Sequence, residues 1–118
     1  MDDDRPIFLQ VAQRLEDEIL GGTMPEEGQV PSINELAAFY RINPATALKG
    51  VTRLVDAGVL YKRRGIGMFV APGARSRLLA QRRELFHEEY VRPLAAQARA
   101  LGIEPAQLEQ MVRKEMGQ

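Results

Sequence analysis

The sequence predicts a mainly α-helical fold with one small β-hairpin, followed by a short all-helical tail. Three observations carry that expectation. Two capped helices follow one another almost without a gap after Val30, and a glycine stop then leads into a hairpin tipped by Arg64-Gly65-Ile66-Gly67. From about Ala74 onward the composition turns to Leu, Ala, Arg, Glu and Gln at helical spacing. Ala71-Pro72-Gly73 is the one clear linker, so the expected division is residues 1–71 and 72–118.

The first helix is expected from about Pro6 to Leu20, with Ile7, Val11, Leu15 and Ile19 at four-residue steps and Phe8 and Ala12 beside them as its core stripe. Gly21 and Gly22 stop it, and Thr23 to Gly28 read as a loop. Asp2 to Asp4 ahead of it read as a solvated lead whose charge also suits the positive pole of a helix. Ser32-Ile33-Asn34-Glu35 is a capping box that opens a short helix from Ile33 to about Tyr40. After a turn at Arg41 and Ile42, Asn43 is a strong N-cap and Pro44 occupies the first helical position, where its missing N–H is no loss. Gly58 ends that helix in a left-handed cap. So short a gap between helices matches the steep turn of a helix-turn-helix.

At about 100° per residue, Ala47, Val51, Leu54 and Val55 fall on one side of the later helix, and Thr46, Lys49, Gly50 and Arg53 on the other. A hydroxyl, cations and a residue without a side chain suit a DNA major groove, where hydroxyls bond to base edges and cations neutralise phosphates. On a lone helix this would be an ordinary solvated face. The hairpin changes that reading: Val59–Arg63 and Met68–Val70 are β-prone runs around the glycine turn, with Lys62, Arg63 and Arg64 on or beside the tip. Helix-turn-helix plus basic hairpin is a winged helix-turn-helix. Charge segregates accordingly. Residues 1–40 hold nine acidic and two basic side chains, residues 41–77 one acidic and eight basic, and residues 78–118 six of each. A local basic surface on a chain with no net charge is the footprint of nucleic-acid binding.

The chain resembles the GntR family of bacterial transcriptional regulators. The resemblance rests on Pro6-Ile7-Phe8-Leu9-Gln10-Val11, Gly28-Gln29-Val30-Pro31-Ser32, Leu36-Ala37 and Arg63-Arg64-Gly65-Ile66-Gly67-Met68-Phe69-Val70, and covers residues 6–71. Ile42-Asn43-Pro44-Ala45-Thr46 and the short C-terminal segment are most similar to its YtrA subfamily, whose members end in a small helical dimerisation region. The resemblance implies DNA contacts from Ser32 and Asn34, from Asn43, Ala45, Thr46 and Lys49, and from Arg64, Gly65 and Gly67 in the wing. The helical wheel adds Arg53, and the hairpin adds Arg63. Many family members carry basic residues where this chain has Asn34, Pro44 and Leu48, so their operator sequences do not transfer to it.

In the tail, Leu79, Phe86, Tyr90, Leu94, Ala98 and Leu101 form an apolar stripe, with Pro93 expected to kink the helix while the stripe keeps its phase. Gly102 closes this helix and Pro105 opens a last one with Leu108, Met111, Val112 and Met116 on a narrow side. So small a tail cannot bury its apolar faces alone. The expected partner is a second copy, with Leu79, Phe86, Tyr90, Leu94, Leu101, Leu108, Met111 and Val112 at the interface. A twofold dimer would offer two recognition helices to a palindromic site, its half-sites spaced by one or two DNA turns of about 34 Å. The tail leaves no room for a large ligand domain, so a small-molecule effector would have to use the dimer interface or the seam between tail and head.

Catalysis is not expected. There is no cysteine, which removes disulfides, iron–sulfur clusters and thiolate zinc sites. His87 precedes Glu88 and Glu89 without a second histidine one turn on, and reads as a helix-surface residue. Gly65 and Gly67 sit in a hairpin and do not form a phosphate loop ahead of a helix. No enzyme activity, metal or cofactor is therefore expected. No apolar run spans a membrane and the acidic start is unlike a signal peptide, so a cytoplasmic protein is expected. The expected function is a dimeric repressor on double-stranded DNA. The alternative is a winged helix whose basic face binds an acidic protein surface.

Overall fold

A computed structural model of the protein describes residues 4–118. Of the acidic lead, Asp2 and Asp3 lie outside the described residues, and Asp4 is exposed ahead of the first helix. The elements are α1 (Ile7–Gly21), α2 (Ile33–Tyr40), α3 (Pro44–Asp56), β1 (Leu60–Arg63), β2 (Gly67–Val70), α4 (Ala74–Phe86), a π-helical turn (His87–Val91), α5 (Arg92–Ala100) and α6 (Pro105–Glu115). Two compact units result, the first ending at Leu79 and the second spanning Ala80–Gln118.

In the first unit, α1 buries Val11, Ala12, Leu15 and Ile19 against Leu36 and Ala37 of α2 and Ala47, Val51 and Leu54 of α3. Leu60 and Val70, opposed across the antiparallel hairpin, join this core, as do Ala74 and Leu78 from the start of α4. Ile7 does not belong to it, being 38% exposed. Four-residue steps gain about 40° each on a helix of 3.6 residues per turn, so a stripe written that way leaves the buried side at one end. Gln10 is buried instead, and its side-chain amide donates to the Arg5 carbonyl at 2.9 Å.

The helix ends form as their residues dictate. The Ser32 hydroxyl accepts from the Glu35 N–H at 3.1 Å while the Ser32 N–H donates to a Glu35 carboxylate oxygen at 2.9 Å. The Ser32 N–H, and after it the Ser32 hydroxyl, hold the Glu35 carboxyl below its usual range. Asn43 accepts from the Ala45 N–H at 2.8 Å and so caps α3. At the other end Gly58 is left-handed, its N–H donates to Val55 O at 3.0 Å, and the Val59 N–H donates to Leu54 O at 2.9 Å. That pair of bonds closes the last carbonyls of α3. The loop before α2 holds more structure than its composition suggests. Glu27 and Val30 donate to Val70 O and Met68 O at 2.8 Å each, and Gly28 O accepts from the Val70 N–H at 3.0 Å. Residues 27–30 thus run along the free edge of β2 and cover it.

In the second unit, Pro93 neither breaks the helix nor leaves its stripe in phase. Its missing N–H and its ring are incompatible with the carbonyl four residues back. The chain widens into a π-helical turn just ahead of it, where the Arg92 N–H donates to His87 O five residues earlier. One extra residue per turn rotates the downstream residues by about 100° relative to a regular helix, so the expected stripe does not run straight through. Phe86 and Tyr90 pair across this turn with ring centroids 5.5 Å apart. Gly102 is left-handed just past the end of α5, and Pro105 opens α6 after Glu104, whose N–H donates to the Gln107 side chain at 2.9 Å. Among the described residues from Ala80 onward only Ala98 is buried.

Candidate nucleic-acid interface

The start of α3 stands clear of the core. Asn43, Pro44, Ala45, Leu48, Lys49 and Arg53 are exposed and Thr46 is half-buried. The Asn43 cap occupies its side-chain oxygen and leaves the amide N–H groups for a ligand. Lys49 holds its ammonium 4.2 Å from the centre of the Phe8 ring, so its charge is steadied against α1 while the residue stays exposed. Gly50 does not share this face. It is buried, and a Cβ there would stand 2.9 Å from the Phe8 carbonyl oxygen and 3.1 Å from the Val11 Cβ. Counted again at about 100° per residue, Gly50 falls between Ala47 and Thr46, at the border of the buried side. Ser32 and Asn34 are exposed at the start of α2.

The hairpin turn closes with the Ile66 N–H donating to Arg63 O at 3.0 Å, Gly65 in the left-handed region at φ +77°. Arg64, Gly65 and Ile66 are exposed at this tip. Gly67 sits at φ +144°, and a Cβ would meet the Gln29 amide nitrogen at 2.7 Å; that amide donates to Ile66 O at 3.1 Å. Gly67 therefore makes room for a brace inside the fold. A cleft lined by Gln29, Ser32, Glu35, Ile66, Gly67 and Met68 separates the wing from the start of α2.

Arg63 is engaged within the fold. Its guanidinium donates to Glu27 at 2.7 Å and to the Tyr61 hydroxyl at 2.8 Å, and lies 4.0 Å from the centre of the Phe69 ring. The Tyr61 hydroxyl also donates to the same Glu27 oxygen. Hydrogen bonding to Tyr61, then to Glu27, holds the Arg63 pKa above its ordinary value. Arg75 donates to Leu20 O at 3.1 Å and Arg77 to Gly58 O at 2.5 Å. Of the basic cluster counted in the sequence, every member but Arg63 is exposed: Arg41, Lys49, Arg53, Lys62, Arg64, Arg75 and Arg77, the last two bonded to backbone carbonyls. Sequence reasoning missed Glu27, Gln29 and Tyr61. A signal existed for Tyr61, because alternation along β1 puts it on the same face as Arg63. Among the described residues no cluster could hold a metal ion, and no helix is long and apolar enough to cross a membrane.

The family model of the gntR-type bacterial regulatory proteins matches residues 8–70, the span from α1 to the end of the wing. The chain belongs to the GntR family. The transcriptional repressor YtrA of Bacillus subtilis (strain 168) is 27% identical over 109 residues, covering 92% of this GntR-family chain and 83% of its own. The probable fructoselysine operon repressor of Escherichia coli (strain K12) is 38% identical over 64 residues, and this chain spans only 26% of it. Among solved structures, a GntR-family transcriptional regulator from Bacteroides thetaiotaomicron aligns with a TM-score of 0.76 at 37% identity over 94% of this chain and 96% of its own. The DNA-binding domain of AraR in complex with operator ORX1 aligns at 0.55 and 31% identity over 57% of this chain and 81% of its own. The long-chain likeness to YtrA places this GntR protein with that subfamily.

Proposed function

We propose that the protein is a homodimeric transcriptional repressor of the cytoplasm that binds a palindromic operator, with the start of α3 in the major groove and the wing tip on the backbone or in the minor groove. The observation that carries this reading is the exposed start of α3, capped by Asn43 and presenting Ala45, Leu48, Lys49 and Arg53, together with the exposed wing tip Arg64-Gly65-Ile66. Asn43 and Thr46 would bond to base edges, Ser32 and Asn34 would meet a phosphate at the start of α2, and Lys49, Arg53 and Arg64 would neutralise phosphates. Gly65 would let the wing backbone approach the DNA. The names of the relatives, repressors among them, and the operator complex of AraR support the reading.

Dimerisation would use the apolar side chains left exposed in the second unit, Phe86, Tyr90, Leu94, Leu101, Met111 and Val112, together with Leu79 and Leu108. Any small-molecule effector would sit at that interface. The test is a gel shift with the DNA upstream of the protein's own gene over a salt series. Retardation that weakens steeply with salt is expected, because each phosphate contact releases condensed counterion. No retardation at low salt would favour a module that binds an acidic protein surface.

A further inference from the structure

We propose that Arg63 is a positioning residue of the wing: clasped by Glu27 and Tyr61 and laid over Phe69, it fixes the hairpin to the α1–α2 loop and contributes no charge to DNA. The proposal rests on the DNA-binding reading and assigns the wing cations different tasks. Tyr61 pairs with Phe69 across the hairpin, on the face opposite the core pair Leu60 and Val70. Phe69 is nonetheless buried, and the Arg63 guanidinium 4.0 Å above it is part of its cover. Gly67, opposite Arg63 in the register, offers no side chain to compete for that space.

Glu27 completes the clasp from outside the hairpin. Its backbone is left-handed at φ 66°, uncommon for a residue with a side chain. In that conformation its N–H donates to Val70 O at 2.8 Å while its carboxylate takes both the Arg63 guanidinium and the Tyr61 hydroxyl. A carboxylate at 2.7 Å already neutralises Arg63, so a phosphate could recruit this cation only by breaking the pair. Arg64, the next residue, is exposed at the tip and has no such obligation. Two adjacent arginines in one sequence motif thus differ in role, one holding the wing in place and the other meeting DNA.

The test measures fluorescence anisotropy of the full-length protein on two duplexes, one recovered by the native protein from a random pool and one of random sequence and equal length, over a KCl series. Arg64→Ala should lower the salt slope by about one unit on both duplexes. Arg63→Ala should leave the slope unchanged and weaken the selected duplex several-fold more than the random one, because the wing loses its register. Glu27→Gln, close in size, should raise the slope on the random duplex by about one unit as Arg63 is released. Amide exchange at Glu27 and Val30 should quicken in both clasp variants, a readout that also shows each still folds. A fall in slope for Arg63→Ala equal to that of Arg64→Ala would overturn the proposal, as would native slope and affinity in Glu27→Gln. Failure of the native protein to bind any duplex at low salt would remove the DNA reading itself, and the proposal with it.

Discussion

A Cβ added at Gly50 would press on a backbone oxygen of α1, and a backbone oxygen cannot swing aside as a side chain can. Helix propensity alone would favour alanine there by about 1 kcal/mol. The clash should win. Gly50→Ala is expected to destabilise the head by roughly 1–2 kcal/mol, seen as a lower urea midpoint at unchanged slope. The sequence marked Gly50 as special but suggested the wrong neighbour, DNA in place of Phe8, because a wheel gives direction only relative to a buried side whose width it does not know. Caps were more legible: Ser32, Glu35 and Asn43 bond to their own local backbone, so their geometry needs no distant partner. Glu35 also makes a prediction about acid. Its carboxyl is held below the ordinary 4.5 by the Ser32 N–H and hydroxyl, so the folded state favours the charged form. The resulting stability is present above about pH 4.5 and is lost as pH falls through the lowered value. Denaturation midpoints measured down to acid pH should flatten in Glu35→Gln, and an unchanged profile would sink the assignment.

Between elements, legibility depended on whether the signal was a side chain or a backbone bond. The hairpin could be read from glycines flanking β-prone runs, and α2 and α3 from their caps. The strip 27–30 along β2 could not, since it is held by the backbone groups of Glu27, Gly28 and Val30 in a stretch that reads as a loop. Pro93 announced a disturbance of the tail helix, but its form depends on which carbonyl the Arg92 N–H chooses, and the choice of His87 widens the turn instead of breaking it. The wing offers a test at this scale. Gly67 combines φ +144° with the Gln29 amide at its Cβ position, so alanine would meet both backbone strain and a displaced brace. Gly67→Ala should cost about 1–3 kcal/mol, lower if Gln29 moves away and the strain alone remains. Thermal unfolding reads the loss, and faster amide exchange at Val30 and Val70 would locate it in the wing.

For the whole molecule the decisive feature is the surface the second unit leaves uncovered. Tyr90 is 63% exposed, Leu101 72% and Phe86 55%, in a unit where Ala98 is the single buried side chain among the described residues from Ala80 onward. Apolar side chains are singly common on surfaces, and so many exposed on so few residues are what the proposed dimer rests on. If a second copy covers it, charge placed there should separate the protomers without unfolding the head, whose core of α1, α2, α3 and the hairpin lies elsewhere in the chain. Leu94→Glu with Leu101→Glu is expected to sediment as a monomer at micromolar concentration where the native protein sediments as a dimer, with a far-ultraviolet circular dichroism spectrum close to native. Operator affinity should fall by roughly 10²–10⁴, the gain from making the second half-site contact intramolecular, while the salt slope should drop toward half because one head then supplies the phosphate contacts. A native protein that sediments as a monomer would remove the dimer outright. A charged variant that stays dimeric would place the interface on other residues.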